Sequence, residues 1–285
     1  MASNYLNIVS FLLTTLLYYL ALKPKLSLDI FNNQVEKDKY EKSNYMYLAI
    51  YFLIVIIIQL IINTSIIIGK CGGNITENIG YAGMATFFPW VFVFGMVIIF
   101  LIIYPNMKSI FSNVIGYFFI SSSANSLLVN LLINKDIQKN IDKDVSVNPE
   151  EKVKMQDAAD EIIKICGNTS VLINQFTPQN FSKYWGLLKP LMKRQYQAQP
   201  ETPETTDIKQ KLFELVVTKD NIGEVMWYIY TGFLVTSFVL MKITTRGCVN
   251  NQATMTANYQ DFLKQEEQAQ AQQKQQTDTV YTISS

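Results

Sequence analysis

Cys71 and Cys248 are the residues of this chain whose type and position most plainly invite chemistry, because each stands just beyond a long apolar run. Two thiols so placed form a disulfide if they share one face of a membrane and that face is oxidising. The third cysteine, Cys166, belongs to neither run. Three scattered cysteines make neither a disulfide-rich scaffold nor a Cys-x-x-Cys metal site. The chain has no histidine, which removes imidazole bases, His-dependent triads and most catalytic zinc sites. Glu150/Glu151 and Asp157/Asp160/Glu161 are acidic clusters beside lysines, and a solvated helix face explains them better than acid–base catalysis. Gly69-Lys70-Cys71-Gly72-Gly73-Asn74 resembles a phosphate loop only superficially, since the spaced glycine, the following hydroxyl and a preceding strand are missing. No nucleophile–base pair, cofactor motif or metal-ligand set emerges. The expected function is not enzymatic.

The elements that position these residues are read from hydropathy. Charged residues are 16% of the 285 and apolar residues 49%, and the apolar ones are gathered into runs. Met46–Ile68 and Ala82–Tyr104 are uncharged runs of 23 residues each, enough for a bilayer core that needs about 20 at helical rise. Tyr5–Leu22 is an uncharged run of 18 that reads as an uncleaved anchor, because no Lys or Arg precedes it and no small-x-small pattern follows. The fourth span occupies residues 223–243 and is uncharged from Val225 except for Lys242, which can snorkel at its end. The fold class expected is all-α: a multispan helical membrane protein with four transmembrane helices and a small helical aqueous domain between the third and fourth.

Residues 1–22 are then the N-terminal anchor, 23–45 a polar connector and 46–104 a transmembrane hairpin. Residues 105–134 form an amphipathic segment, 135–222 the aqueous domain with its linker at Gln197–Thr206 and a short amphipathic helix at Asp207–Thr218, and 244–285 a polar, Gln-rich tail that is helical or disordered. Gln59, Asn63, Thr64 and Ser65 are the polar interruptions of the second span, suited to bonding a neighbouring helix. Phe87, Phe88 and Trp90, with Tyr81, suit an interfacial aromatic belt, and Pro89 is expected to kink or begin the third helix. Met107–Leu132 has one apolar face but is broken by Ser121-Ser122-Ser123, so it is expected to lie on the membrane or to pack on the next domain. In the aqueous domain, Asn148-Pro149-Glu150-Glu151 and Thr177-Pro178 start helices. The second of these carries Phe181, Tyr184 and Trp185. With Phe176 they read as the domain's core, the alternative being a partner-binding face.

Charge sets the topology. Lysines and arginines near span ends divide nine to three in favour of the face holding 23–45 and 105–222, which the positive-inside rule places in the cytosol. Both termini are then non-cytosolic, and Cys71 and Cys248 share that non-cytosolic face. Two readings stay open here, a disulfide between them and two unpaired thiols. Asn74-Ile75-Thr76 is a glycosylation sequon on the same face, but its closeness to the membrane argues against occupancy. The formal net charge of +1 supplies no field for nucleic acid.

The block from Gly69-Lys70-Cys71-Gly72-Gly73-Asn74 to Phe88-Pro89-Trp90, then Tyr104-Pro105, then Thr177-Pro178-Gln179-Asn180-Phe181 before Trp185, resembles membrane-spanning virion proteins of nucleocytoplasmic large DNA viruses. The Asn/Ile/Lys/Tyr-rich composition agrees. The resemblance covers Gly69 to Trp185 and implies a minor capsid protein in an internal, endoplasmic-reticulum-derived virion membrane. Its partners would be the lipid bilayer and capsid proteins, in a homo- or hetero-oligomer, with the aqueous domain turned toward the lattice and Phe181 and Trp185 among its contacts. The competing expectation is a cellular or viral multispan protein, either a small channel or transporter or a membrane assembly factor.

Overall fold

A computed structural model describes residues 3–132, 169–246, 248, 256 and 259–270. The helix starts read at Asn148 and the acidic clusters after it lie outside these residues, as does Cys166. Among the described residues every regular element is helical. Helix α1 (Ser3–Leu17) continues through a π-helical turn, Tyr18–Leu22, and stops before Pro24. Helix α2 (Leu28–Asn32) is capped by Ser27, whose Oγ accepts from the Ile30 amide at 3.3 Å. Helix α3 (Gln34–Cys71) is a single helix of 38 residues. Much of the expected connector is therefore the start of α3, because residues 34–45 contain no proline or glycine to stop it.

Gly72 and Gly73 turn the chain at φ 72° and 80°, angles that favour glycine. Helix α4 (Ile75–Pro89) follows. Pro89 sits inside the helical run instead of beginning it, and the ladder relaxes into a π-helical turn, Trp90–Gly95, before α5 (Met96–Ile103). That is the expected response to a ring with no N–H to donate. Beyond Pro105 come a 3₁₀ turn (Pro105–Lys108), α6 (Ser109–Phe111), a further π-helical turn (Ser112–Gly116) and α7 (Tyr117–Leu131). Helices α8 (Thr169–Gln175) and α9 (Phe181–Leu188) precede α10 (Pro203–Thr245), an unbroken helix of 43 residues. Expected as a linker, a short helix and a span, this stretch is one element, since no proline follows Pro203 within it. At helical rise it is about 65 Å long, twice a hydrocarbon core of about 30 Å. Residues 259–270 are helical and exposed.

Among the described residues, five helical stretches are long and apolar enough to cross a membrane: Tyr5–Leu22, Gln34–Cys71, Ile75–Ile103, Pro105–Leu131 and Pro203–Thr245. The chain is an all-α multispan protein, and its residues group into two compact units.

The first unit comprises Met1–Thr14, Leu53–Val93 and Gly232–Ser285. Its helices are stitched by amides. Asn7 Nδ2 donates to Asn63 Oδ1 at 2.8 Å, Asn63 Nδ2 donates to Thr86 Oγ1 at 2.8 Å, and Gln59 Nε2 donates to the Asn7 carbonyl at 2.9 Å. Gln59 and Asn63 thus do what polar residues in apolar helices do best, while Thr64 and Ser65 bond back to their own helix at Leu60 and Ile61. Trp90 is fully buried against Phe11, with ring centroids 5.3 Å apart. It belongs to a helix interface and not to the surface belt expected of it; Phe87 and Phe88 are the exposed pair.

The second unit, Thr15–Phe52 and Phe94–Thr231, is layered. One layer is aromatic: Tyr51 stacks on Tyr18 at 4.5 Å, and Tyr228 lies 5.5 Å from Phe94. The next is charged. Beyond it lies an apolar core in which Ile120, Ala124 and Leu128 of α7 meet Phe181 and Trp185 of α9 and Leu212 and Phe213 of α10. Segment 105–131 thus runs alongside α10 from Trp227, whose indole donates to the Met107 carbonyl at 3.0 Å, back to the core around Phe213. It is apolar enough to span, and it crosses the level of the charged layer: the Phe111 ring lies 5.3 Å from that of Trp227 and 6.4 Å from that of Tyr230, while Ile120, Ala124 and Leu128 reach the apolar core. Its outward face keeps Val114, Phe118 and Phe119 exposed.

Candidate functional site

The charged layer is built by the ends of several helices. Asp220, Glu224 and Tyr228 recur every four residues and so share one face of α10. Lys108 ends the 3₁₀ turn that Pro105 starts, and Lys23 follows directly on the π-helical turn of Tyr18–Leu22. Glu224 Oε1 accepts from Lys23 Nζ at 2.6 Å and from the Tyr19 hydroxyl at 2.7 Å, while Oε2 lies 2.6 Å from Lys108 Nζ. Lys108 also reaches Asp220 at 3.0 Å. The four charged side chains are only 6–14% exposed. Two ammoniums and two carboxylates cancel, as burial requires.

Glycines let the helices come this close. A Cβ on Gly223 would sit 2.6 Å from the Lys108 carbonyl oxygen, and one on Gly116 would sit 2.6 Å from that of Lys219. Lys219 itself is buried and donates to Asn113 Oδ1 at 2.9 Å. Beside the cluster opens a cleft of about 290 Å³, walled by Lys37, Tyr40, Glu41 and Asn44 of α3, by Leu101 and Ile102 of α5, and by the charged layer itself. Both oxygens of Glu224 are engaged, Oε1 by Lys23 and Tyr19 and Oε2 by Lys108. Its chemistry is the mutual fixing of Lys23, Lys108 and α10.

The residues singled out from the sequence fall elsewhere. Cys71 and Cys248 are brought together in a disulfide, with Cα atoms 5.3 Å apart. Around it, Lys70 Nζ donates to the carbonyls of Thr244 at 2.5 Å and Arg246 at 2.8 Å. This satisfies acceptors that the end of α10 leaves without helical partners. The Arg246 guanidinium lies 3.5 Å from the ring centroid of Tyr81, so cation, ring and disulfide close one terminus of the fold. Asn74 caps α4, its Oδ1 accepting from the Glu77 amide at 3.0 Å and its Nδ2 donating to the Glu77 carboxylate at 3.2 Å. Its side chain is therefore committed to the helix start.

Phe181 and Trp185, the first choices for partner contact, are 0% and 3% exposed. A partner cannot meet them, because Phe181 packs on Phe213 at 5.0 Å and Trp185 stacks on Phe181. Tyr184 alone of the three keeps part of its surface free. The Trp185 indole donates to Glu201 Oε1 at 3.1 Å, and Lys209 lies 3.1 Å from the other oxygen. Burial raises the Glu201 pKa, but hydrogen bonds from Lys209 and Trp185 outweigh it and hold the carboxyl below its ordinary value of 4.5.

Sequence reasoning missed Lys23, Lys108, Asp220 and Glu224. The signal was present: Lys23 directly follows the first span, Glu224 directly precedes the uncharged run from Val225, and Lys108 follows closely on the third. Charges that flank spans on one face are natural partners once the topology is drawn. Compared with known proteins, the chain matches no family model, no curated protein and no solved structure.

Proposed function

We propose that this protein is a membrane-anchored structural protein that ties a lipid bilayer to a protein layer. In the terms of the resemblance, it is a minor capsid protein holding a capsid shell to an internal membrane. The observation that carries the reading is α10. One unbroken helix contributes Leu212, Phe213 and Val216 to the aqueous core, Glu224 to the charged layer and Tyr228 to the aromatic layer. From Leu212 to Tyr228 one helix and its ion pairs therefore couple the apolar core, the charged layer and the aromatic layer. The mutually paired cluster supports the same reading, since adhesion needs fixed geometry. The partner-facing surface is then the outward face of the Ser112–Gly116 turn and α7, with Val114, Phe118 and Phe119, and not Phe181 or Trp185.

The test is recovery from purified particles of the virus that encodes the chain. Near-stoichiometric retention after a high-salt or carbonate wash supports the role, and absence from particles defeats it. A channel or transporter is the second reading, favoured by the buried Asn7–Asn63–Thr86 row within apolar helices. Ion flux from the purified protein in liposomes, abolished by Asn63→Leu, would select it instead.

A further inference from the structure

The cleft beside the charged layer has walls of two kinds. Leu48, Leu101 and Ile102 are apolar, and Lys37, Glu41 and Asn44 are polar. Its lining includes residues at or near the ends of four apolar segments: Lys23, Leu48, Ile102 and Glu224. That is the depth at which phospholipid headgroups lie in a bilayer that these segments cross. At about 290 Å³ it is at the lower end of the range of about 300–1,000 Å³ for small-molecule sites.

The charges left over define what would enter. Lys23, Lys108, Asp220 and Glu224 neutralise one another. Lys37 and Glu41 stand one turn apart on α3, and among the described residues neither is in an ion pair; the Lys37 ammonium rests over the Phe31 ring, 5.1 Å from its centroid. One turn beyond Glu41, Asn44 Oδ1 is buried and has no hydrogen-bond donor among the described residues. A lone cation, a lone anion and an unmatched acceptor in one cleft ask for a zwitterion whose positive end carries N–H groups. Exposed Met46, Ile99 and Ile103 offer apolar surface on the segments that lead away from the cleft.

We infer that this cleft binds the headgroup of a phosphatidylethanolamine-type lipid. Its phosphate is held by Lys37, and its primary ammonium by Glu41 and Asn44 Oδ1. A choline headgroup satisfies the charges but has no N–H to give Asn44, so the site discriminates between the two lipids.

Native mass spectrometry of the detergent-purified full chain, offered equimolar palmitoyl-oleoyl phosphatidylethanolamine and phosphatidylcholine, tests this. The expected preference for the ethanolamine lipid is about tenfold, the ratio that corresponds to about 1.4 kcal/mol. Asn44→Leu and Glu41→Gln should each erase the preference, while Lys37→Gln should weaken both lipids alike. All three positions are only partly buried, and an unchanged circular-dichroism melt confirms that each variant is folded. Should Asn44→Leu fail that check, Glu41→Gln carries the test. Equal binding of the two lipids, or a preference surviving in the folded variants, overturns the inference. Soluble phosphoethanolamine displacing the lipid at equal concentration would also overturn it, by assigning the cleft to a free metabolite.

Discussion

Replacing Glu224 with glutamine probes the charged layer at its centre. The amide keeps the shape of the carboxylate and can still accept from Tyr19, but it no longer offsets charge. Lys108 retains Asp220 at 3.0 Å, so its loss is partial. Lys23 is different: its side chain is 6% exposed, no second carboxylate pairs with it among the described residues, and its remaining contact is the Tyr19 ring at 4.7 Å. Orphaning one partner of a buried pair costs about 3–5 kcal/mol, and with one lysine orphaned rather than two the lower figure applies. Glu224→Gln should therefore lose about 3 kcal/mol, roughly a hundredfold in the folding equilibrium. Lys23→Met alone leaves Glu224 with Lys108 and should cost less. The double variant Lys23→Met/Glu224→Gln removes the orphan and should recover most of the loss, a coupling of about 2 kcal/mol. Unfolding in mixed detergent–SDS micelles, followed by far-UV circular dichroism, measures all four corners of the cycle. A coupling below about 0.5 kcal/mol, the usual limit of additivity for independent sites, would refute the claim that this ion pair is what holds α10 to the end of the first span.

Other outcomes follow from the same geometry. Cys248→Ser should abolish a mobility difference between reducing and non-reducing gels that the parent shows, and should leave Cys71 open to a membrane-impermeant maleimide. Gly223→Ala drives a methyl into the backbone of Lys108 and Ser112 and should cost about 1–3 kcal/mol, whereas Gly83→Ala meets nothing within 4 Å and should be neutral or slightly stabilising in the same unfolding assay. Glu201 has its pKa depressed by folding, so its contribution is present above the unfolded value near 4.5 and lost as pH falls through the lower folded one. Acid titration of a chain whose only tryptophan is Trp185 should shift its emission below pH 4.5, and Glu201→Gln should flatten that titration.

The apolar runs were legible because hydropathy is a local property: Met46–Ile68 and Ala82–Tyr104 announce themselves in a window of 20 residues. Phe181 and Trp185 read correctly as core, but the helix read as starting at Thr177-Pro178 begins only at Phe181, because residues 178–180 form a turn in which the Asn180 Oδ1 accepts from the Thr177 amide. What was not legible depends on partners far apart in the chain. Nothing near Glu224 shows that Lys23, 201 positions away, will meet it. Trp90 looked like a belt residue because its neighbours Phe87 and Phe88 are exposed, and only the arrival of Phe11 decides otherwise. The fusion of a linker, a short helix and a span into α10 was hidden by the habit of ending elements at changes in polarity. A helix ends where its backbone is stopped, and nothing between Pro203 and Thr245 stops it.

The charged layer also has a consequence for the lipid around it. Sliding α10 by one turn would carry Glu224 about 5.4 Å along the axis, parting it from Lys23, Lys108 and Tyr19 together. Where the apolar segments cross a bilayer, the charged layer would set a fixed waterline at one of its faces. When the surrounding leaflet is too thick or too thin to meet that line, the lipid must deform, at a fraction of a kcal/mol per ångström. Neighbouring copies that share a deformed annulus reduce its perimeter by standing together, so membrane elasticity alone would draw these proteins into patches.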